Sequence, residues 1–324
     1  MRTHGFLAVN PSSGDGSPTA EELADEAGHR GVEVHVLAPG EDPGEAARRS
    51  GAEILGAAGG DGSLAAVAAV ALDQDVPFVC VPFGTRNHFA RDLGLDRDDP
   101  ITALAAFGDG VERRIDAGRV GDRLFLNNVS FGIYAGLVHR RERHRRRGEV
   151  LARARALATV ARHRHRIHAR VNGEELVARV ILVGNNRYDV SLFTLGERER
   201  IDGGALQLWA AGGVLPRSWE ERTGPSFRIE VPGGRVRAAI DGEPVVLESP
   251  LELESLHRAL RVLVPATVPQ DAEGGAMHDN PRASDDEQEE AHEGRQQEEE
   301  AMRYPEHDDP DEQTERAHRN SADE

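Results

Sequence analysis

Residues 53–72 read EILGAAGGDGSLAAVAAVAL, and this stretch decides how the N-terminal part of the chain folds. It begins with an apolar run at 53–58, which is typical of a buried β-strand. It ends at 63–72 with apolar residues at every third or fourth position, which is typical of a helix. The turn GGDGS at 59–63 joins the two segments. A strand that enters a helix through a glycine-rich turn indicates an α/β fold.

The alternation of strands and helices extends over residues 1–113, which we expect to form one domain. Thr19 and Glu22 form a capping box at the start of an additional helix. Further strands are predicted at residues 5–9, 32–37 and 77–81. This order predicts a mostly parallel sheet that is covered by helices. The single cysteine, Cys80, falls within the last of these strands, and we interpret it as core packing rather than as a nucleophile.

Residues 114–265 show mainly strand patterns and are predicted to form a second domain, an antiparallel β-sandwich. Asn172-Gly173 is a strong signal for a hairpin. Strands at 227–231 and 235–240 are predicted to be joined across Pro-Gly-Gly. The last strand, at 260–264, either completes this domain or returns to the first one.

The net charge of −18 is distributed unevenly along the chain. Residues 266–324 carry 20 acidic side chains and 5 arginines, and no Leu, Ile, Phe or Trp follows Val268. Such a segment cannot bury enough apolar area to offset its conformational entropy, so we predict a disordered acidic tail. The tail is either simply solvated or serves in interaction or autoinhibition.

Length and composition exclude several classes of protein. None of the 324 residues belongs to an apolar run that reaches the ~18 residues of a membrane span. The N-terminal residues do not read as a secretion signal, and one cysteine excludes an intrachain disulfide or a CxxC metal site. A cytoplasmic protein is therefore expected. All 39 basic residues are arginine, so any cationic side chain that contacts phosphate must be Arg.

Three small polar loops follow predicted strands of the first domain. The loop NPSSG at 10–14 follows the strand at 5–9, GGDGS follows the strand at 53–58, and PFGTRN at 82–87 follows the strand at 77–81. In open α/β sheets, ligands bind at the carboxyl ends of the strands. Glycines let the backbone approach a phosphate closely, and a helix N-terminus favours its negative charge. The three loops together therefore predict a nucleotide site.

Asp61 is the unusual residue of the glycine-rich turn. A carboxylate beside phosphate oxygens is repulsive unless a cation or a hydroxyl donor lies between them. Asp61 therefore indicates Mg²⁺, bound directly or through water, or a hydrogen bond to a substrate hydroxyl. The alternative is that Asp61 is only a helix N-cap among turn glycines.

In this order and spacing, the three loops resemble the diacylglycerol kinase catalytic domain. Its superfamily also contains sphingosine, ceramide and bacterial lipid kinases, with NAD kinases as distant relatives. Later segments agree with the resemblance, namely NNVSFG at 127–132, IDGGAL at 201–206 and DGE at 241–243. The resemblance covers about residues 5–265. It implies ATP on the first domain and a lipid or other hydroxyl acceptor in the cleft that faces the β-rich domain.

The resemblance also implies roles for individual residues. Glu243 matches the family's proposed general base, and Asp61 is the second catalytic candidate. A carboxylate that accepts the hydroxyl proton suits phosphoryl transfer. On local grounds alone, the DGEP segment at 241–244 also reads as a surface turn. The nucleotide-binding candidates are Asn10, Ser12, Gly14, Gly59, Gly60, Asp61, Gly62, Ser63, Thr85 and Asn87.

The chain departs from the family pattern at several positions. Ser63 replaces the usual Thr and retains the hydroxyl, and Ala65 and Ala66 stand where Asn-Glu commonly follow. His88 replaces a frequent Asp. Gly203 stands where the family's metal-associated Asp usually lies. Asp202 therefore remains as the metal candidate, and the family's structural Mg²⁺ site is in question.

Residues 139–170 hold 12 arginines and 5 histidines against two glutamates. This basic segment reads either as a solvated cationic helix face or as a surface that adheres to anionic lipid. Nucleic-acid binding is not expected, because no aromatic platform accompanies the charge. A further hypothesis is that the acidic tail folds back on the segment and masks it.

The leading hypothesis is an ATP- and Mg²⁺-dependent lipid kinase of the diacylglycerol kinase type, peripheral at the cytoplasmic face of the membrane. An NAD-kinase-like enzyme or another kinase of soluble hydroxyls is the alternative. The residues at Ala65, Ala66 and Gly203 also leave open a catalytically weakened nucleotide- or lipid-binding protein. The identity of the acceptor and the oligomeric state are not predicted.

Overall fold

The computed structural model describes residues 4–14, 17–84, 87–132, 166–191, 194–198, 200–212 and 219–268. They all belong to one compact unit, Met1–Gly275. A second unit, Ala276–Glu324, lies outside the described residues, as do most of the basic segment and nearly all of the predicted acidic tail. The predicted disorder of the tail therefore stays a prediction.

The helices and strands of the described residues alternate at first and then give way to strands alone. The helices are α1 (Ala20–His29), α2 (Pro43–Ser50), α3 (Asp61–Gln74), α4 (His88–Asp92), α5 (Pro100–Ala103) and α6 (Ala106–Asp109). The first nine strands are β1 (Gly5–Val9), β2 (Glu33–Val36), β3 (Ile54–Gly59), β4 (Phe78–Pro82), β5 (Gly110–Val120), β6 (Arg123–Phe125), β7 (Asn128–Gly132), β8 (Ile167–Val171) and β9 (Glu174–Ala178). The remaining strands are β10 (Val180–Asn185), β11 (Tyr188–Ser191), β12 (Thr194–Arg198), β13 (Leu206–Ala211), β14 (Trp219–Gly224), β15 (Ser226–Glu230), β16 (Arg235–Ile240), β17 (Glu243–Glu248) and β18 (Leu251–Pro265).

The first four strands form a parallel sheet in the order β2-β1-β3-β4, as the sequence pattern predicted. Successive residues of β3 point to opposite faces, where Leu55 packs with α2 and α3 and Ile54 packs with α1 and α5. Helices therefore cover both faces of the sheet, which explains why its strands are almost wholly apolar. Cys80 lies in the core on the α3 face, as expected.

The long strand β18 continues this sheet into the second half of the molecule. Its Val262 and Leu263 pair in parallel with β4, while its earlier residues pair in antiparallel fashion with β15. It also pairs with β5 along most of its length. The last strand thus returns to the first sheet, and the predicted boundary at residue 113 falls inside β5. The two halves share one ten-stranded mixed sheet.

A second, six-stranded antiparallel sheet has the order β14-β13-β10-β7-β16-β17. Its apolar side packs against β8, β9 and β15 of the mixed sheet, so the β-rich half contains two facing sheets with a common core. The two strands predicted to be joined across Pro-Gly-Gly do follow each other in the chain, but they do not pair with each other. β15 pairs with β8 and β18 of the mixed sheet, whereas β16 pairs with β7 and β17 of the second sheet. The chain therefore crosses between the sheets at residues 231–234.

Candidate functional site

The loops that follow β1, β3 and β4 meet at the carboxyl edge of the parallel sheet. The Asn10 side chain donates a hydrogen bond to Ser63 Oγ (3.0 Å) and accepts one from the Ser12 backbone N–H (3.0 Å). Asn10 thus shapes its own loop and fixes it to the glycine-rich turn. The Gly60 backbone N–H also donates to Ser13 Oγ (3.4 Å), so two hydrogen bonds join two of the three predicted loops.

Close backbone packing brings in the third loop. A methyl group on Gly84 would lie 3.4 Å from the Gly60 Cα atom, so the two glycines face each other almost in contact. Gly59 is more confined, because a methyl group there would clash with Ser63 Cβ at 2.9 Å. A methyl group on Gly60, in contrast, would meet nothing within 4 Å. The turn is therefore closely packed at Gly59 and Gly84 and open at Gly60.

Gly14 and Asn87 support this arrangement from the flanking loops. A side chain on Gly14 would collide with the Phe83 ring, at 2.3 Å from Cζ. Asn87 is fully buried and donates to the Gly84 carbonyl oxygen (2.8 Å), so it shapes the loop that carries Gly84. Thr85, the remaining candidate of this loop, lies outside the described residues.

The open side of the turn is the N-terminus of α3. Gly60 is the N-cap residue and supplies no capping side chain, so the first N–H groups of the helix have no side-chain cap. Asp61 is the first helical residue. The alternative interpretation of Asp61 as an N-cap is therefore wrong. An uncapped helix start that follows glycines is well suited to phosphate oxygens.

The Asp61 carboxyl group lies at the inner wall of this site. Burial, and then the negative charge of Asp241, raise its pKa to about 7. Its Oδ1 atom is buried and has no hydrogen-bond partner in the structure. The Phe89 backbone N–H and the Asn127 side chain both lower this pKa, and Asn127 Nδ2 is itself without a partner. A buried carboxyl oxygen without a partner is costly, so Asn127, a water molecule or a ligand hydroxyl is the donor that Oδ1 requires.

Asp241 organises the neighbouring part of the site. Its carboxylate accepts hydrogen bonds from the backbone N–H groups of Leu126 (2.7 Å), Asn127 (2.8 Å) and Asn128 (2.9 Å). Burial raises its pKa to about 6, although these three donors act in the opposite direction. Asp241 is thus a structural anchor, which a solvent-exposed surface turn would not require.

Glu243 follows Asp241 after one glycine and begins β17. Asp241 and Gly242 have positive φ values of 46° and 85°, and they form the two-residue turn between β16 and β17. The Glu243 side chain lies over the N-terminus of α3, since a methyl group on Gly62 would be 2.9 Å from its Cγ and 3.1 Å from its Oε1. The structure therefore brings the two catalytic candidates, Asp61 and Glu243, to the same helix end.

Arg198 is an important residue that the sequence did not indicate. It is fully buried at the end of β12, where its guanidinium pairs with Asp92 (Nε–Oδ2 2.5 Å) and donates to the Leu126 carbonyl oxygen (2.7 Å). It also lies over the rings of Phe89 and Tyr188. The surrounding segment GERER reads as a solvated charged loop, so no local signal distinguishes this arginine.

The metal candidate Asp202 does not fit a Mg²⁺ site. Its Oδ1 accepts hydrogen bonds from Arg200 (3.1 Å) and its Oδ2 from Arg258 (2.8 Å), so two guanidinium groups already neutralise it. Burial raises the pKa of Asp202 and the two arginines lower it, with a net decrease. Over the residues that the structure describes, no cluster of three or more His, Cys, Asp or Glu side chains is arranged to hold a metal ion. Where the chain has Gly203 in place of the family's usual Asp, Arg200 and Arg258 supply the positive charge beside Asp202.

Comparison with known proteins agrees with this geometry. Residues 4–120 match the sequence model of the diacylglycerol kinase catalytic domain. A diacylglycerol kinase of Bacillus subtilis is 38% identical over 82 residues, which are 25% of this chain and 27% of that protein. The protein named "Probable lipid kinase YegS" of Salmonella arizonae is 34% identical over 141 residues, 39% of this chain and 45% of its own length. The chain thus aligns with less than half of each of these curated relatives.

The similarity in fold extends further than the similarity in sequence. A crystal structure of a diacylglycerol kinase from Bacillus anthracis superposes with a TM-score of 0.61, covering 82% of this chain and 99% of that one, at 17% identity. At this identity the superposition shows a common fold alone. The resemblance that the three loops predicted is confirmed, because residues 4–120 match the diacylglycerol kinase catalytic-domain model.

Proposed function

We propose that this protein is an ATP-dependent lipid kinase of the diacylglycerol kinase type, which transfers the γ-phosphoryl group of ATP to a lipid hydroxyl. The observation that carries the proposal is the position of Glu243 over Gly62. A carboxylate at this place faces the helix end where the phosphates would bind. A lipid acceptor is favoured because the chain matches a lipid-kinase family and its curated relatives include lipid kinases by name.

The nucleotide site would be formed by the three loops. The uncapped N–H groups of α3 would bind phosphate oxygens, and the open side of Gly60 would allow the backbone to approach them. Asn10 and Ser63 would hold the two loops in register, and a water molecule or a substrate hydroxyl would donate a hydrogen bond to Asp61 Oδ1. Phosphoryl transfer depends mainly on such positioning and charge stabilisation.

Magnesium would reach this site as the complex with ATP rather than through Asp202. When bound to the nucleotide, Mg²⁺ neutralises charge on the phosphate oxygens. Asp61 would interact with it, directly or through water, and the buried Oδ1 without a partner in the described structure supports this role. The residues of the chain would align the acceptor hydroxyl and remove its proton.

Glu243 would act as the general base. It is an exposed carboxylate, so it can accept a proton from an acceptor that enters from solvent or from a membrane surface. The Asp241 anchor and the tight turn would fix the backbone from which it projects. The acceptor would therefore bind on the side of the β-rich half that carries β17.

A phosphotransfer assay with labelled ATP tests this proposal. The acceptors are vesicles that contain diacylglycerol, monoacylglycerol or sphingosine, and soluble NAD as the representative of the alternative class. We expect lipid phosphorylation that depends on Mg²⁺. Phosphorylation of NAD alone would favour the soluble-hydroxyl kinase, and ATP binding without transfer to any acceptor would favour a binding protein.

The Glu243→Gln variant tests the assigned base. It keeps the shape of the side chain but cannot accept the proton, so we expect turnover to fall at least ~10²-fold. Glu248→Gln is the matched control, because Glu248 is exposed on the same strand, β17, but pairs with Arg235 at the opposite end of the hairpin. Turnover of Glu243→Gln at the level of this control would contradict the assignment.

A further inference from the structure

The two sides of the proposed site come from distant parts of the sequence. The nucleotide side includes the loop after β4, which leads directly into α4, and the acceptor side includes the β16–β17 turn that carries Glu243. Arg198 lies between the two sides and donates hydrogen bonds to a residue of each, Asp92 and Leu126. Only about 1% of its side chain is exposed, so each of these bonds forms away from solvent.

On the nucleotide side, Arg198 holds α4. Its Nε atom is 2.5 Å from Oδ2 of Asp92, the last residue of this helix, and the Asp92 side chain is 2% exposed. The guanidinium carbon also lies 5.9 Å from the centre of the Phe89 ring on the same helix. Because α4 starts directly after Asn87, these contacts fix the helix that follows the third loop.

On the acceptor side, Arg198 holds the segment before β7. Its second arm donates to the Leu126 carbonyl oxygen at 2.7 Å, and Asn185 donates to the same oxygen at 3.1 Å. The N–H groups of residues 126–128 in turn donate to Asp241. A continuous chain of hydrogen bonds therefore leads from the guanidinium to the turn from which Glu243 projects.

We propose that Arg198 is a positioning residue of the kinase, which ties α4 to the 126–128 segment and so sets the distance between the nucleotide loops and Glu243. This inference rests on the proposed function. Arginine suits the role because its planar guanidinium presents donors in fixed directions, so one side chain can bind the Asp92 carboxylate and a backbone carbonyl at the same time. Lysine carries the same charge, but its single ammonium nitrogen cannot donate in these two fixed directions.

The charge of Arg198 has a second effect on the site. It lowers the pKa of Asp61 and of Asp241, opposing the burial that raises both. The charged and titratable groups near these two carboxyls include Arg198, Asp92, Tyr188, Cys80 and the exposed Glu243. Loss of the guanidinium with the Asp92 charge kept would therefore raise the pKa values of Asp61 and Asp241.

The test uses a variant that removes the pair together. Arg198→Met alone would leave the Asp92 charge buried without a partner and would destabilise the fold, whereas replacing both partners by apolar residues is often neutral. In full-length protein with Asp92→Leu and Arg198→Met, we expect kcat to fall by ~10- to 100-fold with little change in the KM for ATP.

Two further variants sharpen the test. Arg198→Lys should also have a low kcat, because lysine keeps the charge but cannot donate to Asp92 and to the Leu126 carbonyl oxygen in two fixed directions. The control is Glu230→Leu with Arg228→Met, which removes an exposed ion pair on β15. Wild-type kcat in the double variant or in Arg198→Lys would overturn the proposal, and so would a rise in the KM for ATP with kcat unchanged.

A measurement without substrate separates this proposal from the proposed function. If the wild-type protein transfers phosphate to no acceptor, the proposed function fails. A crystal structure of the double variant then still decides on Arg198, because the contact between Glu243 and Gly62 can be compared with that of the wild type. Displacement of Glu243 from Gly62 supports the positioning role, and an unchanged contact overturns it.

Discussion

Glu243 of β17 packs directly against Gly62 of α3, although 181 positions separate them in the sequence. A methyl group on Gly62 would lie 2.9 Å from Glu243 Cγ, which is closer than packed carbon atoms approach each other. The absence of a side chain at position 62 therefore allows the carboxylate to lie against the helix end. In the proposed site, Gly62 would thus leave space for Glu243 as well as for a phosphate.

The Gly62→Ala variant is expected to lose activity without losing stability. Alanine is favoured over glycine in a helix by ~1 kcal/mol, so the melting temperature should stay the same or rise. The methyl group should displace Glu243 and reduce kcat by ~10-fold or more. Gly28→Ala is the control, because Gly28 is also helical, in α1, and has no atom within 4 Å of the added methyl group. Equal activity of the two variants would show that the contact is unimportant.

Asp61 makes the stability of the fold dependent on pH. Its pKa is about 7 in the folded protein, and its ordinary value is 3.8. A carboxyl whose pKa is raised on folding stabilises the protein fully below the ordinary value, and this contribution is lost as the pH rises through the folded value. We therefore expect the free energy of unfolding to decrease between about pH 4 and pH 7. Asp241, with a pKa of about 6, acts in the same direction.

The Asp61→Asn variant isolates this effect. The amide cannot ionise, so the variant should be more stable than the wild type at pH 8, by an amount of the order of a few kcal/mol, and similar to it at pH 4. Urea denaturation at the two pH values measures the difference. Phosphotransfer should fall at least ~10²-fold in the same variant. A stability difference that does not change with pH would contradict the raised pKa.

The parallel sheet and its three loops could be predicted from the sequence because they depend on local signals. Buried parallel strands read as apolar runs, and turn glycines mark where the strands end. The helix α2 carries such signals as well, with Asp42 as N-cap, Pro43 at the first position and Gly51 at the C-cap, and it could have been found. The position of Glu243 was predicted through the family resemblance rather than from local chemistry.

The Arg198 network and the strand exchange between the sheets could not be predicted in this way. Arg198 bonds to Asp92 and to Leu126, which lie 106 and 72 positions away, and no periodicity in the sequence encodes such contacts. The strands on either side of Pro-Gly-Gly look like a hairpin locally. Their partners are decided by the facing sheets, since the buried side of each strand must meet a different apolar surface.

Removal of divalent metal should leave the fold unchanged. Asp202 is neutralised by Arg200 and Arg258, so no cation is needed to compensate its charge. We expect the same melting temperature with a chelator and with Mg²⁺ when ATP is absent. The pairs are partly exposed, so Asp202→Asn should cost about 1 kcal/mol or less. A lower melting temperature with the chelator in wild type but not in Asp202→Asn would show that a metal binds there after all.

The acidic tail and the basic segment offer the last prediction, which rests on charge alone because both lie largely outside the described residues. Residues 266–324 carry a net charge of −15 and residues 139–170 one of +10. Each exposed basic side chain near an anionic membrane contributes about 1 kcal/mol to binding, so a tail that masks several of them weakens adhesion strongly.

Deletion of residues 270–324 should therefore increase binding to anionic vesicles at low salt. The difference should shrink at high salt, where such charges are screened. Sedimentation with vesicles of anionic and of neutral lipid measures the effect, and equal binding with and without the tail would exclude masking.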